Sequence, residues 1–204
     1  MHSLYKIPLF FAKLLYPCKI YGKENIPKGS AVLVCNHFHA VDCVYVAMAY
    51  NSDISFLAKK ELFKKKGVSK LLKSLGGIPI DRKNPDMKTM LSLMKILKDG
   101  HKLTVFPEGT RNRTGTSELQ PIKGGAIIFA VKTKTPIVPM MILKKAKLFV
   151  GNKMIIGKPF TLDEFYDKKL TDEEIENLAK VVSDKMKEQQ KILFDKVKRK
   201  KWLY

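Results

Sequence analysis

The chain has 204 residues, 45% of them apolar, which suffices for one compact domain with a hydrophobic core. Its 39 Lys and Arg against 19 Asp and Glu leave a net charge of +20, so we expect an anionic partner, either nucleic acid or an acidic membrane. Three unevenly placed cysteines exclude a disulfide framework and favour a reducing compartment.

The N-terminal stretch 4–17 is rich in aliphatic and aromatic residues, with lysines interspersed. A bilayer-spanning helix needs roughly 20 apolar residues. This stretch is shorter, contains Lys13 and two prolines, and lacks the cleavage site of a secretory signal. We therefore predict an interfacial membrane-anchoring segment in residues 1–20 and a single domain in residues 21–204. The alternative is a helix packed on that domain.

The run Ala31–Cys35 is apolar and β-rich, which predicts a strand that leads into a loop carrying His37. Asp42 then begins a helical stretch over residues 43–50. In an open α/β sheet, ligands bind at the carboxyl ends of the strands. Across such a junction the Asp42 carboxylate can reach one imidazole nitrogen of His37 and leave the other free to take a proton.

A helix is predicted next, because Asn84-Pro85-Asp86 is a start signal, Gly100 is a stop signal, and the apolar residues between them have helical spacing. The predicted buried face consists of Met87, Met90, Leu91, Met94 and Leu97.

A second strand is predicted over Leu103–Phe106, and it leads into Phe106-Pro107-Glu108-Gly109-Thr110-Arg111. This turn would present an acid and an arginine at the sheet edge where His37 lies. Together, the base and the arginine indicate group transfer on an anionic substrate.

The C-terminal part predicts a long helix that starts at Thr171 with a capping box to Glu174 and ends in the basic run 196–201. Its buried face would consist of Ile175, Leu178, Val182, Met186 and Leu193. The expected fold class is α/β, a mixed sheet flanked by helices, with the short N-terminal segment and a C-terminal helix.

The sequence has no Gly-x-Ser-x-Gly elbow, and Cys35 and Cys43 are predicted to be small buried hydrophobes. A base without a protein nucleophile would activate a substrate hydroxyl for direct attack on an activated acyl group.

A metal site is the rival interpretation, because His37, His39 and Asp42 resemble a ligand cluster. The other histidines, His2 and His101, are in unrelated contexts, so we expect no metal.

Four segments resemble the sequence boxes of the glycerolipid acyltransferases. His37 and Asp42 resemble the HxxxxD box, and residues 106–111 resemble the FPEGTR box. Residues 56–63 running on to 76–82, and residues 135–140, resemble two further boxes in the family's order. The combination most resembles the 1-acyl-sn-glycerol-3-phosphate acyltransferases, which move a fatty acyl group from a thioester carrier to lysophosphatidic acid.

The resemblance implies that His37 takes the proton from the glycerol 2-hydroxyl while Asp42 holds the ring, with no acyl-enzyme. It implies no metal and no cofactor, only acyl-CoA or acyl-ACP as co-substrate. The arginines suit a phosphate because a guanidinium forms two parallel charge-assisted bonds. The implied substrate-binding residues are Lys59, Arg82, Glu108, Gly109, Thr110 and Arg111, with Lys60 as a further candidate.

Each binding residue also has a structural alternative. Arg82 could pair with Asp81 on the surface, and Lys59 and Lys60 belong to a lysine-rich run that is typical of a solvated face. His39 stands where many family members carry Ser, which bears on the rate and the pH optimum rather than on the class of reaction.

The implied product is phosphatidic acid for phospholipid synthesis. The expected partners are an anionic phospholipid membrane, lysophosphatidic acid, and a thioester of acyl-carrier protein or coenzyme A. The expected location is the cytoplasmic face of the cell membrane, peripheral or monotopic. No nucleic acid is expected, because no nucleic-acid-binding motif accompanies the charge. Two alternatives stay open: transfer to glycerol 3-phosphate or another lysophospholipid, and a non-enzymatic basic protein that binds lipid or nucleic acid.

Overall fold

The structure, a computed structural model, describes residues 6–50, 54–81 and 86–201. The helices are α1 (Lys6–Leu15), α2 (Asp42–Ala49), α3 (Lys66–Ser74), α4 (Met87–Lys98), α5 (Gly125–Thr133) and α6 (Asp172–Lys201). The strands are β1 (Cys18–Tyr21), β2 (Ala31–Cys35), β3 (Ile54–Lys59), β4 (Gly77–Ile80), β5 (Lys102–Val105), β6 (Ile137–Ile142) and β7 (Asn152–Ile156).

The strands form one seven-stranded mixed sheet in the order β1-β7-β6-β2-β5-β3-β4. Among the described strands, the β6–β7 pair is antiparallel and the other five pairs are parallel. The two central strands β2 and β6 are buried along their whole length, because both faces of the sheet are covered. The predicted mixed sheet flanked by helices is confirmed.

Two hydrophobic clusters cover the two faces of the sheet. On one face, α1, α2 and α3 pack against alternate residues of the central strands, for example Leu33 and Met140. On the other face, α4, α5 and α6 pack against the intervening residues, for example Val34 and Met141. This alternation follows from the two-residue period of a β-strand.

The predicted elements agree closely with the observed ones. β2 has the predicted bounds, and α2 begins at Asp42. The start signal of α4 operates through Asp86, whose carboxylate caps the helix by accepting the backbone N–H of Thr89 at 2.6 Å. The capping box of α6 is present, since the Thr171 N–H donates to Glu174 at 2.8 Å and the Glu174 N–H donates to the Thr171 hydroxyl at 3.2 Å.

The predicted buried face of α4 is partly wrong. Met87 and Leu91 are exposed, whereas Leu93 and Leu97 are buried. At 3.6 residues per turn, Leu91 lies roughly 160° around the axis from Leu93, so the two cannot share one face. The helix packs on the sheet through the side that carries Leu93. The spacing of Met87, Leu91 and Met94 predicted a different side.

Helix α1 packs on the domain through one face, as the alternative for the N-terminus expected, and its other face is exposed. Leu9 is buried and Ala12 packs beside it against α2, whereas Phe10, Phe11 and Leu14 are exposed. The predicted segment 1–20 extends into the sheet, because β1 begins at Cys18. In the described part of the chain, every helix is too short or too polar to cross a bilayer.

Candidate active site

The two motif loops emerge side by side from the sheet. β2 and β5 are adjacent and parallel, and Val34 is paired with Val105 near their carboxyl ends. The loop that carries His37 and the loop that carries Arg111 therefore leave the same edge, as the sequence predicted.

His37 and Asp42 form a buried hydrogen-bonded pair. The Nδ1 atom of His37 lies 2.9 Å from Oδ2 of Asp42, and the side chain of Asp42 is fully buried. The same oxygen accepts the backbone N–H groups of Phe38 and His39, each at 2.6 Å. These bonds fold the loop around the carboxylate, and Asp42 also lies at the N-terminus of α2, where the helix dipole favours a negative charge. Because Nδ1 is engaged by Asp42, Nε2 is the nitrogen available to take a proton.

The second loop makes three contacts with His37. The His37 N–H donates to Oε1 of Glu108 at 2.8 Å, and the His37 carbonyl accepts the N–H of Asn112 at 2.6 Å. The ring of Phe106 stacks on the imidazole, with 4.1 Å between ring centres and 20° between planes. The imidazole is therefore fixed in position by both loops before any substrate enters.

Glu108 is part of the loop structure and is absent from the lining of the pocket that contains His37. It is 4% exposed, and its second oxygen accepts the N–H of Gln120 at 3.4 Å. Burial raises the pKa of the Glu108 carboxyl above its ordinary value. The structure places this residue in a role of joining the loops, whereas the family resemblance implied contact with substrate.

Asn36 fastens the other side of the site. Its amide nitrogen donates to the carbonyl of Ile142 at 3.0 Å, and its carbonyl oxygen accepts the Ile142 N–H at 2.7 Å. The bonds join the end of β2 to the end of β6, beyond the last paired residues of the two strands. No signal in the sequence distinguished this buried Asn from an ordinary loop residue.

His37 lines a pocket of about 310 Å³ with one apolar and one basic part. The apolar part includes Phe56, Leu62 and Leu72, from β3, the turn after it and α3. The basic residues are Lys59, Arg111 and Arg113. Such a pocket suits a molecule that joins a hydrocarbon chain to an anionic group.

The predicted binding residues other than Glu108 lie in different settings. Lys59, Thr110 and Arg111 line the pocket with His37. Gly109 has a φ of 69°, in the left-handed region that favours glycine. Lys60 instead forms a salt bridge with Asp81.

Arg82, the remaining predicted residue, lies outside the described residues. Arg113 was not predicted, although it is two residues beyond Arg111 and lines the same pocket.

A second, more basic pocket of about 550 Å³ lies next to the first. Arg111 and Arg113 line both pockets. His39, Lys144 and Lys145 line the second pocket but not the first. His39 therefore lies beside the pocket of His37 and not in it.

Cys35 and Cys43 are buried, as predicted. Cys35 and Cys43 both belong to the core. Burial raises the pKa of the Cys43 thiol to about 12 and that of Cys35 well above its ordinary value, so neither is a thiolate near neutral pH. Residues 6–50, 54–81 and 86–201 contain no cluster of three or more His, Cys, Asp or Glu side chains that could hold a metal ion.

Comparison with known proteins adds independent information. The family model described as Acyltransferase matches residues 17–143. The 1-acyl-sn-glycerol-3-phosphate acyltransferase of Bacillus subtilis (strain 168) is 36% identical over 158 residues, which are 72% of this chain and 75% of the relative. The protein of the same name from Borreliella burgdorferi is 29% identical over 193 residues, 91% of this chain and 76% of that protein.

The fold is similar to a solved structure. The crystal structure of the 1-acyl-sn-glycerophosphate (LPA) acyltransferase PlsC from Thermotoga maritima superposes with a TM-score of 0.68 at 27% sequence identity. The match covers 90% of this chain and 78% of that one.

Proposed function

The chain belongs to the acyltransferase family, and from this we propose that it transfers a fatty acyl group from an acyl thioester to the 2-hydroxyl of 1-acyl-glycerol-3-phosphate, producing phosphatidic acid. The printed names of the relatives and of the structural neighbour support this acceptor. The four sequence boxes indicate the same family.

The observation that carries the proposed mechanism is the buried His37–Asp42 pair at 2.9 Å, which opens on a pocket. In the proposed step, Nε2 of His37 takes the proton of the acceptor hydroxyl as its oxygen attacks the thioester carbonyl carbon. Asp42 stabilises the imidazolium that forms. The C–S bond then breaks, and the leaving thiolate takes the proton back from His37.

Direct transfer needs no covalent enzyme intermediate. The cysteines nearest to His37 in the sequence, Cys35 and Cys43, have raised thiol pKa values because they are buried, which makes them poor nucleophiles. The hydroxyl of the acceptor is then the nucleophile, and the enzyme contributes position and a base.

The pocket supports a lysophospholipid as acceptor. Its apolar wall, formed by Phe56, Leu62 and Leu72, suits the acyl chain that the acceptor already carries. Arg111 and Lys59 on the basic side suit its phosphate, with Arg113 as an additional cation. Glycerol 3-phosphate, the alternative acceptor, carries the phosphate but would leave the apolar wall empty.

We also propose that the protein acts at the cytoplasmic face of the membrane, held peripherally. The exposed side chains of Phe10, Phe11 and Leu14 on α1 support this location, because they give the helix an apolar outer face. The net charge of +20 adds attraction to an anionic leaflet.

The test is acyl transfer by the purified full chain in liposomes. Labelled acyl-CoA and acyl-ACP are each offered with lysophosphatidic acid and with glycerol 3-phosphate. The proposal predicts phosphatidic acid from lysophosphatidic acid, and the active donor identifies the carrier. Transfer to glycerol 3-phosphate alone, or to neither acceptor by folded and lipid-bound protein, would contradict the proposed acceptor.

A further inference from the structure

The loop between β6 and β7 ends in an exposed apolar tip. Leu148, Phe149 and Val150 are 50%, 66% and 41% exposed, and they follow one another in the sequence. Lys147 precedes them, and the N–H of Val150 donates to its carbonyl at 3.2 Å, which closes a tight turn. Three consecutive apolar side chains at the tip of a turn are unfavourable in water unless they contact something.

Phe149 is held in an unusual backbone conformation. Its φ is 58°, in the left-handed region that Gly and Asn tolerate and bulky residues rarely adopt. A turn with this geometry would be more stable with Gly or Asn at position 149. An aromatic ring is therefore exposed to solvent at a position where the backbone conformation favours Gly or Asn.

Hydrogen bonds hold the loop between β6 and β7 in place. The N–H of Phe149 donates to the carbonyl of Leu15, the last residue of α1, at 2.7 Å. At the base of the loop, the buried side chain of Asn152 donates to the carbonyl of Lys144 at 2.7 Å. The tip therefore has a fixed position beside the end of α1.

The tip and α1 form one surface, which we call the apolar rim. On α1 it consists of Phe10, Phe11 and Leu14, and on the loop it consists of the tip residues 148–150. The hydrogen bond between Phe149 and Leu15 joins the two parts.

Basic residues border the apolar rim on both sides. Lys13 on α1 and Lys144, Lys145 and Lys147 on the loop are all exposed. An apolar patch with a basic border fits an anionic lipid surface, because the rings enter the acyl region while the lysines meet the headgroups.

The rim lies at the same sheet edge as His37. β6 runs parallel to β2, so its following loop leaves the sheet where the His37 loop does. β1 is parallel to β7, which is antiparallel to β6, so α1 joins β1 at that edge too. A bilayer that contacts the rim would therefore face the edge on which the pocket lies.

We propose that the 147–150 tip is a second membrane-insertion element, which enters an anionic bilayer together with α1 and orients the active-site edge toward it. This inference rests on the proposed membrane location and adds a site to it. An acceptor lipid would then reach His37 without leaving the membrane surface.

The test is flotation of the full chain with vesicles of phosphatidylglycerol and phosphatidylcholine. The variant is Leu148→Ser with Phe149→Asn, which removes the two most exposed apolar side chains of the tip and relieves the left-handed strain at position 149. We expect an apparent affinity lower by about tenfold or more, with a melting temperature equal to or above that of the wild type. A matched control is Leu91→Gln. Leu91 is an exposed leucine of α4, which packs on the face of the sheet opposite to α1, so this variant should float like the wild type.

Insertion itself is measured with Leu148→Trp in a Trp202→Phe background. Quenching of this tryptophan by brominated acyl chains would support entry into the bilayer. Absence of quenching, or flotation of the tip variant equal to that of the wild type, would overturn the proposal and leave α1 as the contact. The tip variant is also assayed with a water-dispersed short-chain acceptor, on which it should match the wild type. Failure of the enzyme proposal would instead remove turnover from both proteins and leave the flotation difference unchanged.

Discussion

The backbone N–H of His37 donates to Oε1 of Glu108 at 2.8 Å, so the residue that carries the proposed base is held by a carboxylate of the other motif loop. The carbonyl of His37 is held by the N–H of Asn112 at 2.6 Å. The two motifs therefore act as one unit, in which residues 71 positions apart in the chain position one imidazole.

The buried carboxyl of Glu108 predicts that the free energy of unfolding falls as the pH rises. Burial raises the pKa of its carboxyl in the folded protein, so the folded state holds this proton more tightly than the unfolded chain. The contribution of Glu108 is therefore full below the unfolded pKa and falls as the pH rises through the folded pKa.

This is measured by urea unfolding of the wild type and Glu108→Gln across the acidic range. The free energy of unfolding of the wild type should decline relative to that of the variant as the pH rises above the ordinary glutamate value of 4.5. A difference that stays constant, or that grows with pH, would contradict the assignment.

Asp42→Asn should reduce kcat by about 100-fold or more, because a neutral amide does not stabilise the imidazolium that forms when His37 takes the proton. Oδ2 of Asp42 accepts the N–H groups of Phe38 and His39 and lies 2.9 Å from Nδ1 of His37. An amide oxygen in the same place could accept these bonds and keep the loop folded, but it carries no charge. Steady-state kinetics beside circular dichroism distinguish this loss from unfolding. Unchanged kcat in a folded variant would refute the role of Asp42.

Arg111→Ala should lower kcat/KM for the phosphate-bearing acceptor by about 10- to 100-fold, the usual loss for a charge-assisted hydrogen bond to phosphate. Most of the effect should appear in KM, because the phosphate is equally charged in the ground state and the transition state. Arg111→Lys should recover part of the loss, since it keeps the charge but not the planar fork. An effect confined to kcat would place Arg111 at the reacting carbonyl instead.

Asn36→Ala should lower the free energy of unfolding by about 2 kcal/mol or more, because it leaves the buried N–H and C=O of Ile142 without partners. Denaturant unfolding of the variant measures this loss. Activity should fall as well, because the loop that carries His37 begins at this residue. Asn36→Ala with wild-type stability would show that solvent replaces both bonds.

Much of the fold was predictable because local rules and tertiary structure agree. The Thr171–Glu174 capping box and the apolar run of β2 depend on neighbours in the chain, and both occur as expected. The exposed Leu91 was not predictable, because the face that α4 presents is chosen by the sheet and by α5 rather than by spacing alone.

In the candidate site too, local contacts were predictable from the sequence and long-range contacts were not. The His37–Asp42 pair follows from a five-residue spacing across one strand-loop-helix junction, and it was predicted. The contacts of Glu108 with His37 and of Asn36 with Ile142 span long sequence separations, and only the order of the strands in the sheet brings them together. The position of Arg113, the second arginine of the pocket, likewise depends on the path of a loop.

The most direct test of the account is the rate of acyl transfer to lysophosphatidic acid by His37→Ala beside the wild type, with the same donor and the same liposomes. The account predicts a loss of about 100-fold or more, with melting temperature and liposome flotation unchanged. A folded, membrane-bound His37→Ala protein that transfers acyl groups at the wild-type rate would show that another residue is the base.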